Sequence, residues 1–155
     1  MRETSEMPPY RSDAARTHAQ ILSPTGIGRE DDAMRGAVVI SWGNIVRGRE
    51  KMGLDVFAKA IAYADELAKE GKVAGHQEYL AVNGDLSQRA GFMIVEGDLE
   101  QLRALDHDKQ WRKNLFAGSS VVDNMTIQTF AGGNEESLQE ELGLGLEVET
   151  ELGLI

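Results

Sequence analysis

The chain has 155 residues, no cysteine and a formal net charge of −10. Without cysteine, a disulfide framework, a thiolate metal site and a cysteine nucleophile are all excluded. No apolar run approaches the ~18 residues that a membrane span requires, and the first residues contain no apolar signal segment. We therefore expect a cytoplasmic protein with no membrane partner.

The negative charge is concentrated at the two ends of the chain. Residues 134–155 contain seven Glu and neither Lys nor Arg, whereas residues 1–33 contain six acids and four bases. Residues 34–133 are nearly neutral, with thirteen acids and twelve bases. A nucleic-acid-binding surface needs clustered positive charge to neutralise phosphates, so no nucleic acid partner is expected.

The same division separates a predicted domain from its flanks. Residues 1–33 mix Pro, Ser, Thr and charged residues without periodicity, which predicts a disordered N-terminal extension. Met34 stands just before the first strand pattern and is a candidate translation start. Residues 34–133 are predicted to form the folded domain, and residues 134–155 an acidic, flexible C-terminal tail.

Strand and helix patterns alternate through the first half of the domain. A β-branched apolar run predicts a strand over 37–43, and apolar residues at helical spacing predict a helix over about 49–70. Gly71 is the expected stop of that helix. Two further strands, over 72–82 and 89–97, are joined by the turn sequence NGDLSQ and should form a hairpin.

The second half of the domain completes a recognisable order of elements. Asp98 and Gln101 form a capping-box pattern at the start of a second helix, which is predicted to continue over about 108–116. The run VVDNMTIQTF (121–130) predicts a fourth strand. The resulting order, βαββαβ, is that of the ferredoxin-like α+β fold: a four-stranded antiparallel sheet with both helices on one face.

One face of such a sheet has no helix to cover it. Strands 37–43 and 89–97 are apolar at both odd and even positions, so neither face is clearly polar. A monomer would expose a larger apolar patch than soluble proteins usually tolerate. We expect a two-fold homodimer in which two sheets pack face to face.

The stretches WGNIVRGRE, GHQEYL and GFMIVEGDLEQLRAL resemble an uncharacterised bacterial group in the dimeric α/β-barrel superfamily. That group is related to YCII-like and antibiotic-biosynthesis-monooxygenase-type proteins. The resemblance spans roughly residues 34–133 and implies a homodimer with a ligand cleft between sheet and helices or inside the barrel. No catalytic motif of the superfamily can be matched residue by residue, and no cofactor is expected.

The stretch GHQEYL contains the leading candidates for catalysis. On a strand, His76 and Glu78 share a face with Leu80 and Val82. A carboxylate can orient an imidazole and raise its basicity, so His76 and Glu78 are a candidate acid-base pair. The alternative is that both side chains lie at a dimer edge or are partly solvated, without a catalytic role.

The loop NIVRGRE contains the candidate ligand-binding residues. Arg47 and Arg49, with the amides of a helix N-terminus, are suited to an anion such as a carboxylate. Trp42 would form a flat apolar wall beside them. The alternative is a solvated loop in which Glu50 pairs with an arginine and Gly48 permits a turn.

No metal site is predicted. Asp106, His107 and Asp108 are of metal-ligand types, but consecutive residues on a helix point in different directions and cannot readily share one ion.

The C-terminal tail repeats the letters ELGL and so spaces aliphatic residues regularly in an acidic segment. Such a segment is suited to docking on a protein partner, and the alternative is a solubilising tail with incidental leucines.

Two classes of function are consistent with these patterns, and the sequence leaves open whether the protein is an enzyme. The favoured one is a small homodimeric α/β-barrel protein that binds a small organic ligand or a protein partner without catalysis. The other is a cofactor-independent monooxygenase or isomerase-like enzyme. In that enzyme His76 would act as acid or base, Glu78 would orient it, and Arg47 or Arg49 would stabilise an oxyanion.

Overall fold

The computed structural model describes residues 33–155, so the predicted N-terminal extension lies outside the described residues except for Ala33. The elements are β1 (Arg35–Trp42), α1 (Glu50–Lys69), β2 (Gly75–Leu80), β3 (Gly91–Asp98), α2 (Leu99–Ala104), α3 (Lys109–Val121), β4 (Thr126–Ala131) and α4 (Glu135–Glu151). A short 3-10 turn, Leu105–His107, joins α2 to α3. None of the helices in this range is long and apolar enough to cross a membrane.

The four strands form one antiparallel sheet in the order β2-β3-β1-β4. The predicted βαββαβ order and four-stranded antiparallel sheet are therefore confirmed. Within residues 33–155 the sheet is open at β2 and β4 and does not close. The barrel part of the prediction is not confirmed by the chain alone.

The core lies between one face of the sheet and the helices α1, α2 and α3. Val38 of β1 and Val95 of β3 stand opposite each other on that face. They pack with Leu67 of α1, Leu102 of α2 and Trp111 of α3. These side chains are all buried, because period-two alternation in the strands and helical periodicity in α1 direct them to a common layer.

Helix α1 ends as the sequence predicts. Gly71 has a φ of +71°, which a residue without a side chain adopts at little cost. Its N–H donates to the carbonyl of Ala68, and the Lys72 N–H donates to the carbonyl of Leu67. This pair of bonds satisfies carbonyls of the last turn and turns the chain into β2.

The start of α2 follows only half of the predicted capping box. Asp98 is the N-cap residue, and its carboxylate accepts from the Glu100 N–H. The Gln101 side chain instead donates to the carbonyl of Gly71, at 3.2 Å. Gln101 thus ties α2 to the turn after α1 rather than closing the box.

The predicted second and fourth strands are several residues longer than the observed ones. The fourth begins at Thr126, because Val121 is the last residue of α3 and is buried in the core. Asn124 then takes a positive φ, a conformation that Asn tolerates, and turns the chain into β4. The second strand ends at Leu80, so Val82, which is 95% exposed, does not share the face of His76 and Glu78.

The segment predicted as a flexible acidic tail contains a helix of 17 residues, α4. Gly132 and Gly133 both have positive φ and reverse the chain after β4. Asn134 caps the helix by accepting from the Ser137 N–H, and the buried Ser137 hydroxyl accepts from the Arg35 N–H. The sequence reading of this segment missed the cap and the anchor, which together hold its first turn.

The sheet face opposite the helices is mostly apolar. Tyr79 and Phe92 stack on it with ring centroids 5.0 Å apart. The same face, by strand register, carries Ala37, Val39, Ile94 and Phe130 together with Ser41, Gln77, Thr126 and Gln128. Charged side chains of the described strands occur on it only at one end, where Arg35, Glu96 and Asp98 lie. We call this surface the open sheet face.

Leu67→Ala tests where the core lies. Leu67 is only 1% exposed, so the substitution should lower the free energy of unfolding by about 2–5 kcal/mol through lost burial and a residual cavity. Val82→Ala in the β2–β3 loop, where the side chain is 95% exposed, is the control and should cost less than about 0.5 kcal/mol. Urea denaturation measures both, and equal losses would contradict this position of the core.

Candidate functional site

A cleft of about 610 Å³ opens between the helix-covered face of the sheet and helices α1 and α3. This volume lies within the range of small-molecule sites. The cleft is at the end of the sheet where β1 finishes. Its walls are largely apolar and include Ile40, Trp42, Leu54, Phe57, Met93 and Leu115.

Trp42 is placed in the cleft by its register with β3. It stands opposite Gly91, where an added Cβ would come within 2.8 Å of a Trp42 ring carbon. The missing side chain therefore lets the indole lie close to the β3 backbone. Phe57 of α1 meets the indole edge-on at 5.3 Å between ring centroids, so the wall predicted for Trp42 is a Trp-Phe pair.

Gly53 and Ile45 form a part of the cleft that sequence reasoning missed. Gly53 is buried in α1, and a Cβ there would lie 3.0 Å from Ile45. Glycine inside a helix costs roughly 1 kcal/mol relative to alanine, so a helical glycine is a signal for close approach of another segment. The segment in this case is the β1–α1 loop.

The rim of the cleft contains one arginine and one carboxylate. Arg47 is exposed there and makes no ion pair with any described carboxylate. Glu50 does not pair with an arginine among the described residues, and instead accepts from the Gly48 N–H at 3.1 Å. Hydrogen bonds from the backbone N–H groups of Glu50 and Gly48 lower the pKa of Glu50, so its carboxylate is ionised at neutral pH.

Arg49 is directed elsewhere than predicted. Its Nη1 donates to the carbonyl of Ser120 at 2.5 Å and joins the start of α1 to the end of α3. It is absent from the cleft lining, whereas Trp42 and Arg47 belong to it. The structure therefore brings together two of the three predicted ligand-binding residues.

Tyr63 and Asp108 hold α1 against α3 at the cleft wall. The Tyr63 hydroxyl donates to Asp108 Oδ1 at 2.6 Å, and the same oxygen accepts from the Trp111 N–H at 2.8 Å. Burial and the Asp108 carboxylate raise the pKa of Tyr63, while the Tyr63 hydroxyl and the Trp111 amide lower the pKa of Asp108. Tyr63 and Trp111 line the cleft, so the two hydrogen bonds to Asp108 help to fix the position of both residues in the cleft wall.

His76 and Glu78 are in contact, as the strand periodicity predicts, but they lie outside the cleft lining. His76 Nδ1 is hydrogen-bonded to Glu78, and Nε2 lies 2.6 Å from Asp65 Oδ1 of α1. The His76 side chain is 12% exposed. The cluster joins β2 at the sheet edge to the second half of α1.

The protonation of His76 is set by its two carboxylate neighbours. Burial acts to lower the pKa of His76, but the hydrogen bonds to Asp65 and Glu78 outweigh it, and the pKa is raised. The arrangement therefore favours an imidazolium held between two carboxylates. Both ring nitrogens are engaged, so neither is free to take a proton from another molecule while these contacts last.

The residues considered for a metal do not form a site. Asp108 bonds Tyr63 and caps α3, while Asp106 and His107 are exposed. Across residues 33–155 no group of three or more His, Asp or Glu side chains is arranged to hold an ion.

Comparison with solved structures shows the fold. The chain is similar to a dimeric protein of unknown function and ferredoxin-like fold from Bacteroides fragilis NCTC 9343, with a TM-score of 0.50 and 7% identity. The match covers 63% of this chain and 96% of that one. It is also similar to a conserved protein of unknown function from Bacteroides thetaiotaomicron VPI-5482, described as a possible oxidoreductase. There the TM-score is 0.47, the identity is 16%, and 64% of this chain and 98% of that chain are covered.

No protein-family model matches the chain, and no curated protein matches it. The ferredoxin-like fold is thus shown by structure. The predicted relation to YCII-like and antibiotic-biosynthesis-monooxygenase-type proteins stays a prediction.

The His76 cluster gives a pH-dependent contribution to stability. Because the folded-state pKa is raised above the ordinary value of 6.5, the contribution is fully present below about pH 6.5 and is lost as pH rises through the folded-state pKa. His76→Gln should lower the free energy of unfolding by about 1 kcal/mol at pH 6 and by less at pH 9.

Urea denaturation at both pH values measures this difference. His107→Gln, at an exposed histidine, is the control and should cost nearly the same at both. A loss at His76 that does not change with pH would contradict the ionic role of the cluster.

Proposed function

We propose that this protein is a homodimer that binds a small, largely apolar organic molecule in the cleft between the sheet and helices α1 and α3. The observation that carries this proposal is the cleft itself, whose volume and apolar walls suit such a ligand. Trp42 and Phe57 supply flat apolar surface, and the ligand would displace water from them.

The rim supports a carboxylate as the polar end of the ligand. Glu50 is already satisfied by the Gly48 N–H, whereas the guanidinium of Arg47 carries five donors and pairs with no described carboxylate. A ligand carboxylate at Arg47 would leave its apolar part inside the cleft. Arg49 would act indirectly, by holding the loop against α3 through Ser120.

The open sheet face supports the homodimer. Its apolar centre and its charges at one end make it suitable for contact with a second copy of itself. The similar Bacteroides fragilis protein is described as dimeric. Two open sheets packed face to face would create the dimeric α/β-barrel arrangement, which one open sheet cannot form by itself.

We assign the Asp65–His76–Glu78 cluster a structural role. An enzyme that uses His76 as acid or base, with Glu78 as its orienting group, would need the imidazole to reach a substrate. The position of His76 outside the cleft lining and the engagement of both its nitrogens favour binding over catalysis. The hypothesis of a cofactor-independent monooxygenase or isomerase-like enzyme stays a prediction, because neither His76 nor Glu78 lies in the cleft lining.

Ligand binding can be measured through the protein's own fluorescence, because its two tryptophans, Trp42 and Trp111, both line the cleft. Decanoate and decanol share one apolar chain and differ in the headgroup. Arg47→Gln should weaken decanoate binding about tenfold and leave decanol binding unchanged, since only the carboxylate pairs with the guanidinium.

Two further variants control this titration. Arg103→Gln removes an exposed arginine of α2 and should change neither affinity. Ala60→Phe fills the cleft and should remove binding of both probes. Tryptophan emission that responds to neither probe would overturn the proposed apolar ligand, and equal losses for both probes in Arg47→Gln would overturn the carboxylate.

The homodimer is tested by native mass spectrometry of the full chain, which should give twice the 17.0 kDa chain mass. Val39→Lys places a charge at the centre of the open sheet face and should give a monomer, because two buried like charges would face the interface. Leu86→Lys, in the β2–β3 loop, is the control and should stay dimeric. A wild-type monomer would refute the dimer.

A further inference from the structure

Helix α4 exposes two rows of aliphatic side chains, one on each of two opposite sides of the helix. Residues four apart on a helix lie on the same side, and each row follows that spacing. One row is Leu138, Leu142 and Leu146, and the other, on the opposite side of the helix, is Leu144, Val148 and Leu152; all six side chains are at least half exposed. Leaving so many aliphatic side chains exposed to water is unfavourable. The bond between Ser137 and Arg35 fixes only the first turn of α4 to the domain.

The charge of α4 restricts what can cover these rows. The segment after Gly133 has seven Glu and no Lys or Arg. Two α4 helices side by side would bring two acidic helices together, which is unfavourable. The surface that receives α4 must therefore combine exposed apolar area with positive charge.

Helix α3 presents such a surface. Lys109, Arg112, Lys113 and Phe116 follow the spacing of one helix side, and all four are exposed. Phe116 is 71% exposed, and α3 contains no Asp or Glu. We call this the basic face of α3. In the described chain both this face and the rows of α4 are exposed, so α4 does not cover its own α3.

The open sheet face is a poorer match for α4. It offers apolar area, but its charged residues include Glu96 and Asp98. The open sheet face is suited to contact with the same face of a second copy. The acidic helix α4 therefore needs a different surface.

The first turn of α4 lies at the edge of the open sheet face, where the second copy of the proposed homodimer would pack. Ser137 is bonded to Arg35, at the charged end of the open sheet face. A helix of 17 residues is about 25 Å long. Sheets pack about 10 Å apart, and helices lie roughly 10 Å from a sheet they cover, so the last third of α4 is far enough along the helix to reach the helices on the partner's sheet.

We propose that α4 of each subunit docks on the basic face of α3 of the second copy, so that the homodimer is held by two reciprocal acidic arms. The row Leu144, Val148 and Leu152 would cover Phe116, and the glutamates beside that row would lie near Arg112 and Lys113. This inference rests on the homodimer proposed above and adds the surface that α4 occupies.

Chemical crosslinking tests the docking in the full chain, which has no cysteine of its own. Gly145→Cys lies between the two rows of α4, and Ser119→Cys lies one turn beyond Phe116 on α3. When the two single variants are co-expressed, a short bismaleimide should link one chain of each kind.

Each alternative occupant gives a different result. Linking between two Gly145→Cys chains in preference to the mixed pair would indicate that α4 helices pair with each other and would overturn the proposal. A double variant linked only within one chain would mean that α4 folds onto its own α3, which also overturns it. An intact dimer in native mass spectrometry without mixed links would refute the docking but leave the homodimer standing, whereas a monomer would refute both.

Charge exchange separates a specific contact from chance proximity. Arg112→Glu with Lys113→Glu should reduce the mixed link about tenfold by placing acidic groups opposite α4. Adding Glu147→Lys and Glu151→Lys, which follow Leu144 and Val148 by three residues and so lie beside that row, should restore it. Reduction without restoration would count against direct contact between these two helices.

Discussion

The pairing of β1 with β3 is the constraint on which the rest of the structure depends. It sets Val38 opposite Val95 and Trp42 opposite Gly91 on the face that the helices cover. Because side chains alternate strictly along a strand, one face of β1 provides the closed core at one end and the cleft wall at the other. A slip of one residue would move both sets to the uncovered face. Core and cleft therefore cannot vary independently.

Helix α1 transmits this arrangement to the site. Its apolar side packs on the sheet through Leu67, and two polar contacts hold its flanks: Tyr63 with Asp108 towards α3, and Asp65 with His76 towards β2. These contacts lie at the margins, so the interior of the cleft stays apolar. Polar side chains that the sequence suggests as catalytic can thus serve to position the cleft wall instead of taking part in a reaction. The same holds for Arg49, whose guanidinium joins α1 to α3.

The candidate site was partly predictable. His76 and Glu78 are neighbours because a period of two operates within one strand, and the loop after β1 places Arg47 near Trp42 in sequence as well as in space. Asp65 was not foreseen, because it reaches His76 from a helix whose position depends on long-range packing. Tyr63 and Asp108 were missed for the same reason, since they are 45 residues apart. The helix in 135–151 was missed because its anchor, Ser137, bonds to Arg35, which is 102 residues away in sequence.

The sequence by itself determined the order of strands and helices over residues 34–133, the stop at Gly71, the apolar character of both sheet faces and the concentration of acid after residue 133. Each of these depends on residues close together in the chain, through alternation, helical spacing or backbone preference. Only the tertiary structure decided that His76 lies outside the cleft, that Arg47 and not Arg49 reaches its rim, and that Val121 ends a helix rather than starting a strand. These outcomes depend on which distant segments meet, and local periodicity carries no information about such contacts.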